Sequence, residues 1–264
     1  MKPTAFAYAR PKSWSDALQL IADGARPGAG TQSLGPLLNL RLAQPDTVAD
    51  LRHLPDYAGV VVDGAVVRIG AGTTHAAIED GAVPGRVGEI MAAIAHGIAY
   101  RPVRNRGTIG GSFAHADPAA DWVAVLPALG ATAVALGPKG ERRIAAPGFV
   151  QGIFETALGP DELLRFVEVP VLPAGAHWGH WKFCRKVGEF SKATACVLAL
   201  PGRPPRAVLA ALDGPPLVIE DASALIGDPA GEAARIVAGV ADLSPWRQAL
   251  AETALRRAVE RMAA

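Results

Sequence analysis

Three glycine-bearing segments hold the residues best suited to chemistry in this chain. Gly28-Ala29-Gly30-Thr31-Gln32-Ser33 approaches the GxGxxG pattern, in which a strand-to-helix turn brings backbone N–H groups onto a dinucleotide pyrophosphate. Ser33 takes the third glycine position, however, and no long apolar strand precedes it. Gly70-Ala71-Gly72-Thr73-Thr74-His75 does follow a β-branched run, but His75 replaces its third glycine, and turn glycines after a hairpin are the plainer reading. Arg104-Asn105-Arg106-Gly107-Thr108-Ile109-Gly110-Gly111-Ser112 is the strongest of the three. Consecutive glycines let N–H groups converge on an anion with no Cβ in the way, and Thr108 and Ser112 add hydroxyls. An irregular loop accounts for the same residues, so both readings stand at this point. Of the residues that follow, His115 reads as structural, and Asp117-Pro118 reads as the start of a helix leading to Asp121.

Other chemistries find less support. The six histidines, His53, His75, His96, His115, His177 and His180, show no HxxxH or HExxH spacing, and no GxSxG nucleophile elbow is present. The two cysteines, Cys184 and Cys196, form no CxxC pair and cannot supply an iron–sulfur cluster. Lys+Arg of 26 against Asp+Glu of 25 gives a net charge of +1, without the basic excess of a nucleic-acid binder. Hydrophobic residues make up 50%, yet the longest uncharged stretch, Trp122 to Pro138, is broken by Pro127 and Gly130 and is too short to span a bilayer. No signal-peptide core precedes Arg10, so a cytoplasmic location is expected. The apolarity fits either a well-filled core or a surface held for permanent partners.

The elements that must position these segments follow from pattern. Ser13 to Asp16 has capping-box spacing and opens a short amphipathic helix closed by Gly24. An extended stretch from Ala25 into the glycine turn, then a helical turn over Leu37 to Leu42, completes a small α/β unit ending near Leu54. Val60 to Val62 and Ala65 to Ile69 form a hairpin across Asp63-Gly64, and helices are expected over His75 to Asp80 and Arg86 to Ala99. Val103 to Asp121 shows little regular pattern. Trp122 to Leu129 reads as a helix, Ala131 to Leu136 with Arg142 to Ala145 as a hairpin, and Leu163 to Val169 as a strand. After the aromatic, basic run His177 to Phe183 come strands over Thr194 to Leu200 and Ala207 to Leu212. Helices over Gly231 to Gly239 and Pro245 to Met262 close the chain. Domains over 1–54, 55–175 and 176–264 are expected.

Taken in order, Ala29 to Leu42, Arg101 to Trp122 with Thr108-Ile109-Gly110-Gly111 and Ala116 to Asp121, and Trp181-Lys182-Phe183 resemble the FAD-binding medium subunit of molybdenum hydroxylases. This is the family of aerobic carbon monoxide dehydrogenase and the xanthine dehydrogenase flavin domain. The resemblance implies an α+β, two-subdomain FAD-binding fold of the vanillyl-alcohol-oxidase-like (PCMH) kind with a smaller C-terminal α+β domain. It implies noncovalent FAD lined on one side by Pro27, Gly28, Ala29, Gly30, Thr31, Gln32, Ser33 and Leu34. Ile98, Ala99, Val103, Gly107, Thr108, Ile109, Gly110, Gly111, Ser112, His115, Asp117 and Asp121 would line the other side, closed by Leu163, Leu164 and Lys182. By the same resemblance the chain relays electrons from the 2Fe–2S clusters of a small partner subunit to an external acceptor. A large molybdenum-cofactor subunit oxidises the substrate, and the assembly is a dimer of heterotrimers. This subunit would be inert toward substrate alone, with no residue in a catalytic role and no metal of its own. Two departures stand out: Thr31 occupies a position that is commonly glycine in the family, and Ser112 one that is often asparagine. The segment from His177 onward is short for the family. A stand-alone nicotinamide- or flavin-dependent dehydrogenase and a redox-inactive assembly module remain as alternatives.

Overall fold

In the computed structural model, which describes residues 2–262, the chain opens with β1 (Ala7–Ala9) and α1 (Trp14–Ala22). The Ser13 hydroxyl starts that helix by accepting a hydrogen bond from the Asp16 N–H at 3.1 Å. β2 (Arg26–Gly28), α2 (Leu34–Asn39) and β3 (Thr47–Asp50) follow. The three strands pair in parallel in the order β1-β3-β2, so the β2 connection ends at one edge of the sheet. The second helix begins earlier than the expected Leu37, because Pro36 falls in its first turn, where a missing N–H costs nothing.

The second unit runs β4 (Val60–Asp63), β5 (Val66–Gly70), α3 (His75–Glu79), α4 (Gly85–His96), α5 (Arg101–Arg104), α6 (Ile109–His115), α7 (Asp121–Ala128), β6 (Thr132–Gly137), β7 (Gly140–Ala145), β8 (Val150–Gly152), β9 (Glu155–Thr156) and β10 (Leu163–Pro170). β4 and β5 form the expected hairpin, though the turn lies one residue later than expected, over Gly64-Ala65, with Gly64 at φ +60°. The last strand inserts between the two hairpins, giving the order β4-β5-β10-β6-β7 with every pair antiparallel. Val103 to Asp121, expected to be irregular, instead contains α6 and parts of its neighbours. Thr108 caps α6 by accepting from the Gly111 N–H at 3.0 Å, and tertiary packing of the helix outweighs the low helix propensity of its two glycines.

The third unit is β11 (His177–Phe183), β12 (Ala193–Ala199), β13 (Arg206–Ala210), β14 (Leu217–Ile219), α8 (Ser223–Gly227), α9 (Pro229–Ala238) and α10 (Pro245–Met262). Its strands form an antiparallel sheet in chain order. Period-2 alternation gives the sheet two buried faces. Cys196, Leu198, Val208 and Ala210 join the main core around α7, whereas Ala195, Val197, Ala207 and Leu209 join a second core with α9 and α10. Every residue of α7 from Trp122 to Ala128 is buried, and the helix packs on β12 and β13 within the main core.

Gly179 in β11 lets α10 lie directly on the sheet, since a Cβ there would sit 1.9 Å from the Ala258 carbonyl oxygen. The obstacle is helix backbone and cannot rotate away. Gly179→Ala should therefore lower stability by about 1–3 kcal/mol in thermal unfolding followed by circular dichroism. Gly214→Ala, which meets no atom within 4 Å, should leave the midpoint unchanged.

Candidate functional site

A cavity of about 480 Å³ opens between the end of β2 and the wall formed by α5, α6 and the turn after α4. Its first side is the backbone from Ala29 to Leu34, which leaves the edge of the parallel sheet and enters α2. Thr31 holds a left-handed conformation, φ +58°, uncommon for a β-branched residue. The N–H groups of Gly30, Thr31, Gln32, Ser33 and Leu34 donate to no protein group among the described residues. Successive unpartnered N–H groups around a left-handed residue form an anion-binding concavity. The Gln32 amide folds back to the Gly30 carbonyl at 3.1 Å, leaving those donors uncovered.

The opposite side differs from the cradle foreseen there. The Ile109 and Gly110 N–H groups donate to the Thr73 and Ala71 carbonyls at 3.0 and 2.9 Å, and Gly111 and Ser112 donate to the Thr108 side chain and carbonyl, each at 3.0 Å. The glycine segment therefore has no spare backbone donors at these positions. Its glycines serve packing: a Cβ on Gly110 would lie 2.3 Å from the Ala71 Cβ, and one on Gly111 2.7 Å from the Thr108 Oγ1. What this side offers an occupant is the Ser112 hydroxyl, together with a Thr108 O–H that still has its proton to give. The two sides meet backbone to backbone, since a Cβ on Gly30 would be 2.0 Å from the Arg106 carbonyl oxygen and 2.7 Å from the Gly107 Cα. Gly70 and Gly72 are likewise packing glycines, pressed on Tyr57. That is the plainer of the two readings of their segment, and the nicotinamide alternative loses its second glycine motif.

The turn Gly97–Ala99 is held by cations. Lys182 Nζ donates to the Gly97 carbonyl at 2.7 Å, and Arg104 Nη1 donates to the Ile98 and Ala99 carbonyls at 2.9 and 3.2 Å. Buried Arg104 is itself locked by two hydrogen bonds to Glu79, whose carboxyl it holds down near pKa 2. Lys182 also donates to Asp121 Oδ1 at 2.8 Å. Burial raises the Asp121 pKa, and the Lys182 ammonium pulls it back. Asp117 Oδ1 accepts from the Ala119 N–H at 2.9 Å, and Ser191 ties to the Ala119 carbonyl. Burial lowers the His115 pKa against the opposing pull of Asp117, and its ring lies 4.9 Å from that of Phe154.

Of the residues the resemblance assigned to the site, Pro27, Ala29 to Leu34, Ile98, Ala99, Val103, Gly107, Thr108, Gly110 to Ser112, His115, Asp117, Asp121, Leu163 and Leu164 line this cavity. Gly28, Ile109 and Lys182 do not line it. Ile109, the first residue of α6, is fully buried, and Lys182 acts from behind through Asp121 and Gly97. Sequence reasoning missed Arg26, Leu37, Tyr57, His75, Leu158, Glu162 and the Gly188–Phe190 loop, among others. Tyr57, 3% exposed, is another group whose side chain has no protein hydrogen bond among the described residues. A cavity with one wall of open N–H groups, hydroxyls opposite and apolar flanks suits a long ligand with an anionic middle, such as FAD.

Two substitutions test this geometry. Thr31→Gly should raise stability by roughly 1 kcal/mol in urea unfolding by removing the side-chain penalty at positive φ. Lys182→Met leaves Asp121 buried without its counter-charge, which drives its carboxyl higher still. A raised folded pKa contributes stability that is present below the unfolded value and lost as pH rises through the folded one. The deficit of Lys182→Met should therefore be larger at pH 8 than at pH 4, on the order of 3 kcal/mol, and Lys182→Met with Asp121→Leu should recover much of it in the same titration.

Comparison with known proteins agrees with this geometry. Residues 4–172 match the family model for the FAD binding domain in molybdopterin dehydrogenase. The carbon monoxide dehydrogenase medium chain of Afipia carboxidovorans is 40% identical over 202 residues, 75% of this chain and 70% of that protein. The nicotine 6-hydroxylase medium subunit of Paenarthrobacter nicotinovorans is 38% identical over 200 residues, with the same two coverages of 75% and 70%. Among solved structures, a chain of the cyanide-inactivated Cu,Mo-CO dehydrogenase superposes with a TM-score of 0.91 at 34% identity over 99% of both chains. Quinoline 2-oxidoreductase of Pseudomonas putida 86 gives 0.86 at 29% identity, over 100% of this chain and 99% of the other. These alignments cover 99% or more of this chain and 99% of each counterpart. The chain belongs to the family of FAD-binding domains of molybdopterin dehydrogenases, as an oxidoreductase subunit with the α+β fold of that family.

Proposed function

We propose that this chain holds FAD noncovalently in the cavity and relays electrons from 2Fe–2S clusters of a small partner subunit to an external acceptor. A large subunit with the molybdenum cofactor oxidises the substrate, and the cytoplasmic assembly is a dimer of heterotrimers. The observation that carries the proposal is the run of unpartnered N–H groups from Gly30 to Leu34 along one wall of the cavity, in a member of an FAD-binding family. The relatives named as medium chains and medium subunits support the place of this chain beside larger and smaller partners.

The chain's own groups bind and orient. The Gly30–Leu34 backbone seats the pyrophosphate, Thr108 and Ser112 offer hydroxyls across from it, and the cation-held turn at Ile98 and Ala99 gives a fixed apolar edge. Asp121 and Lys182 keep that turn and the start of α7 in register from behind. Leu163, Leu164 and Phe190 give the same space apolar flanks. The redox chemistry, taking up electrons singly and giving up two, is supplied by the flavin.

Purified alone, the chain should be yellow and inert toward candidate substrates, and acid precipitation should release all of its colour into the supernatant as FAD. Colour retained in the pellet would contradict noncovalent binding. Native mass spectrometry of the complex from its source cells should show three kinds of subunit, and a monomer that oxidises substrate without iron or molybdenum would overturn the relay.

A further inference from the structure

His75, at the first position of α3, lines the cavity and is 5% exposed. Trp122 Nε1 donates to its Nδ1 at 3.2 Å. An indole nitrogen is a donor only, so Nδ1 carries the lone pair and the proton of the neutral ring sits on Nε2. Burial, and secondarily the nearby Arg104, lower the ring's pKa to about 4, which keeps it neutral at pH 7. The Nε2–H finds no protein acceptor among the described residues, and it is not among the polar atoms sealed from solvent. A donor that is open to the cavity and has no protein acceptor is free to bond an occupant.

The surroundings keep that edge open. A Cβ at residue 107 would lie 2.9 Å from the His75 Cδ2 and 3.1 Å from Nε2, so glycine there leaves the nitrogen uncovered. Gly107 in turn touches Gly30, where the run of open N–H groups begins. The donor thus stands beside the crossing of the two glycine segments, next to the seat assigned above to an anion.

We propose that His75 donates its Nε2–H to a pyrophosphate oxygen of FAD, with Trp122 as the positioning residue that fixes the tautomer. The proposal rests on the FAD reading above. A hydrogen bond to an anionic oxygen is charge-assisted, and the neutral ring supplies it without burying a second full charge beside Arg104.

The test uses the full chain stripped of flavin and titrated with FAD, and separately with ADP, which carries the pyrophosphate without the flavin ring. His75→Leu removes the donor, whereas the amide of His75→Gln can present an N–H close to the same place. Affinity of the leucine variant for both ligands should fall roughly ten- to a hundredfold, while the glutamine variant stays within about threefold of the unaltered chain. In the unaltered protein, 15N-histidine spectra should show the Nε2–H tautomer before FAD is added and a shift of that nitrogen and its proton afterwards. The proposal is overturned if the two variants lose affinity equally, if ADP binding is indifferent to the substitution, or if FAD binds stoichiometrically while the His75 resonances stay still. That spectrum also decides the matter should both variants fail to fold. An unaltered chain that takes up neither ligand would overturn the FAD reading itself, a failure distinct from that of His75.

Discussion

The backbone contact between Gly30 and the Arg106–Gly107 peptide is the constraint on which the site depends. A side chain at Gly30 would overlap a carbonyl at 2.0 Å, so the first unit can approach the second this closely only where the Cβ is missing. That approach sets the unpartnered donors of Gly30 to Leu34 opposite α6 and defines the width of the cavity. α6 is placed from its other flank by the same device, since Gly110 rests on Ala71 and its N–H bonds the Ala71 carbonyl. The chain from β5 through α6 is thereby fastened to the five-stranded sheet beside β5 and β10.

Charge fixes what glycine packing leaves loose. Three successive carbonyls, those of Gly97, Ile98 and Ala99, point at Lys182 or Arg104, and each cation has a carboxylate behind it, Asp121 or Glu79. Such pairs add little net stability, because desolvation offsets their attraction, but they specify one arrangement of a turn that has no regular structure of its own. Lys182 lies on β11, so the third unit braces the cofactor side of the second without lining the cavity. α7 supplies the apolar part of that connection, buried from Trp122 to Ala128 in the main core and packed on β12 and β13.

Much of this was legible from local pattern. Hairpins, the capped first helix and the final helices follow from period and punctuation, and the two glycine segments of the cavity were singled out on residue chemistry. What pattern could not show depends on distant partners. β10 lies between the two hairpins through pairings with β5 and β6, and no spacing near Leu163 encodes either one. α6 was hidden because two glycines lower helix propensity, and their purpose shows only once Ala71 and Thr108 are in place. The donors were sought in Gly110 and Gly111, whereas the open ones lie around Thr31, the position at which a departure from the family's glycine was noted. His75 was weighed only as a substitute for a third glycine, and its bond to Trp122, far along the chain, could not be seen.

The central claim is that backbone N–H groups of Gly30 to Leu34, and not those of α6, receive the pyrophosphate. Amide hydrogen exchange at single-residue resolution, with and without FAD, tests it directly, because an amide with no partner exchanges fast until something accepts its hydrogen bond. Slowed exchange on FAD addition is expected within Gly30 to Leu34, with little change at Ile109 to Ser112, whose N–H groups are already bonded within the protein. Protection that appears at Ile109 to Ser112 while Gly30 to Leu34 continue to exchange freely would contradict it.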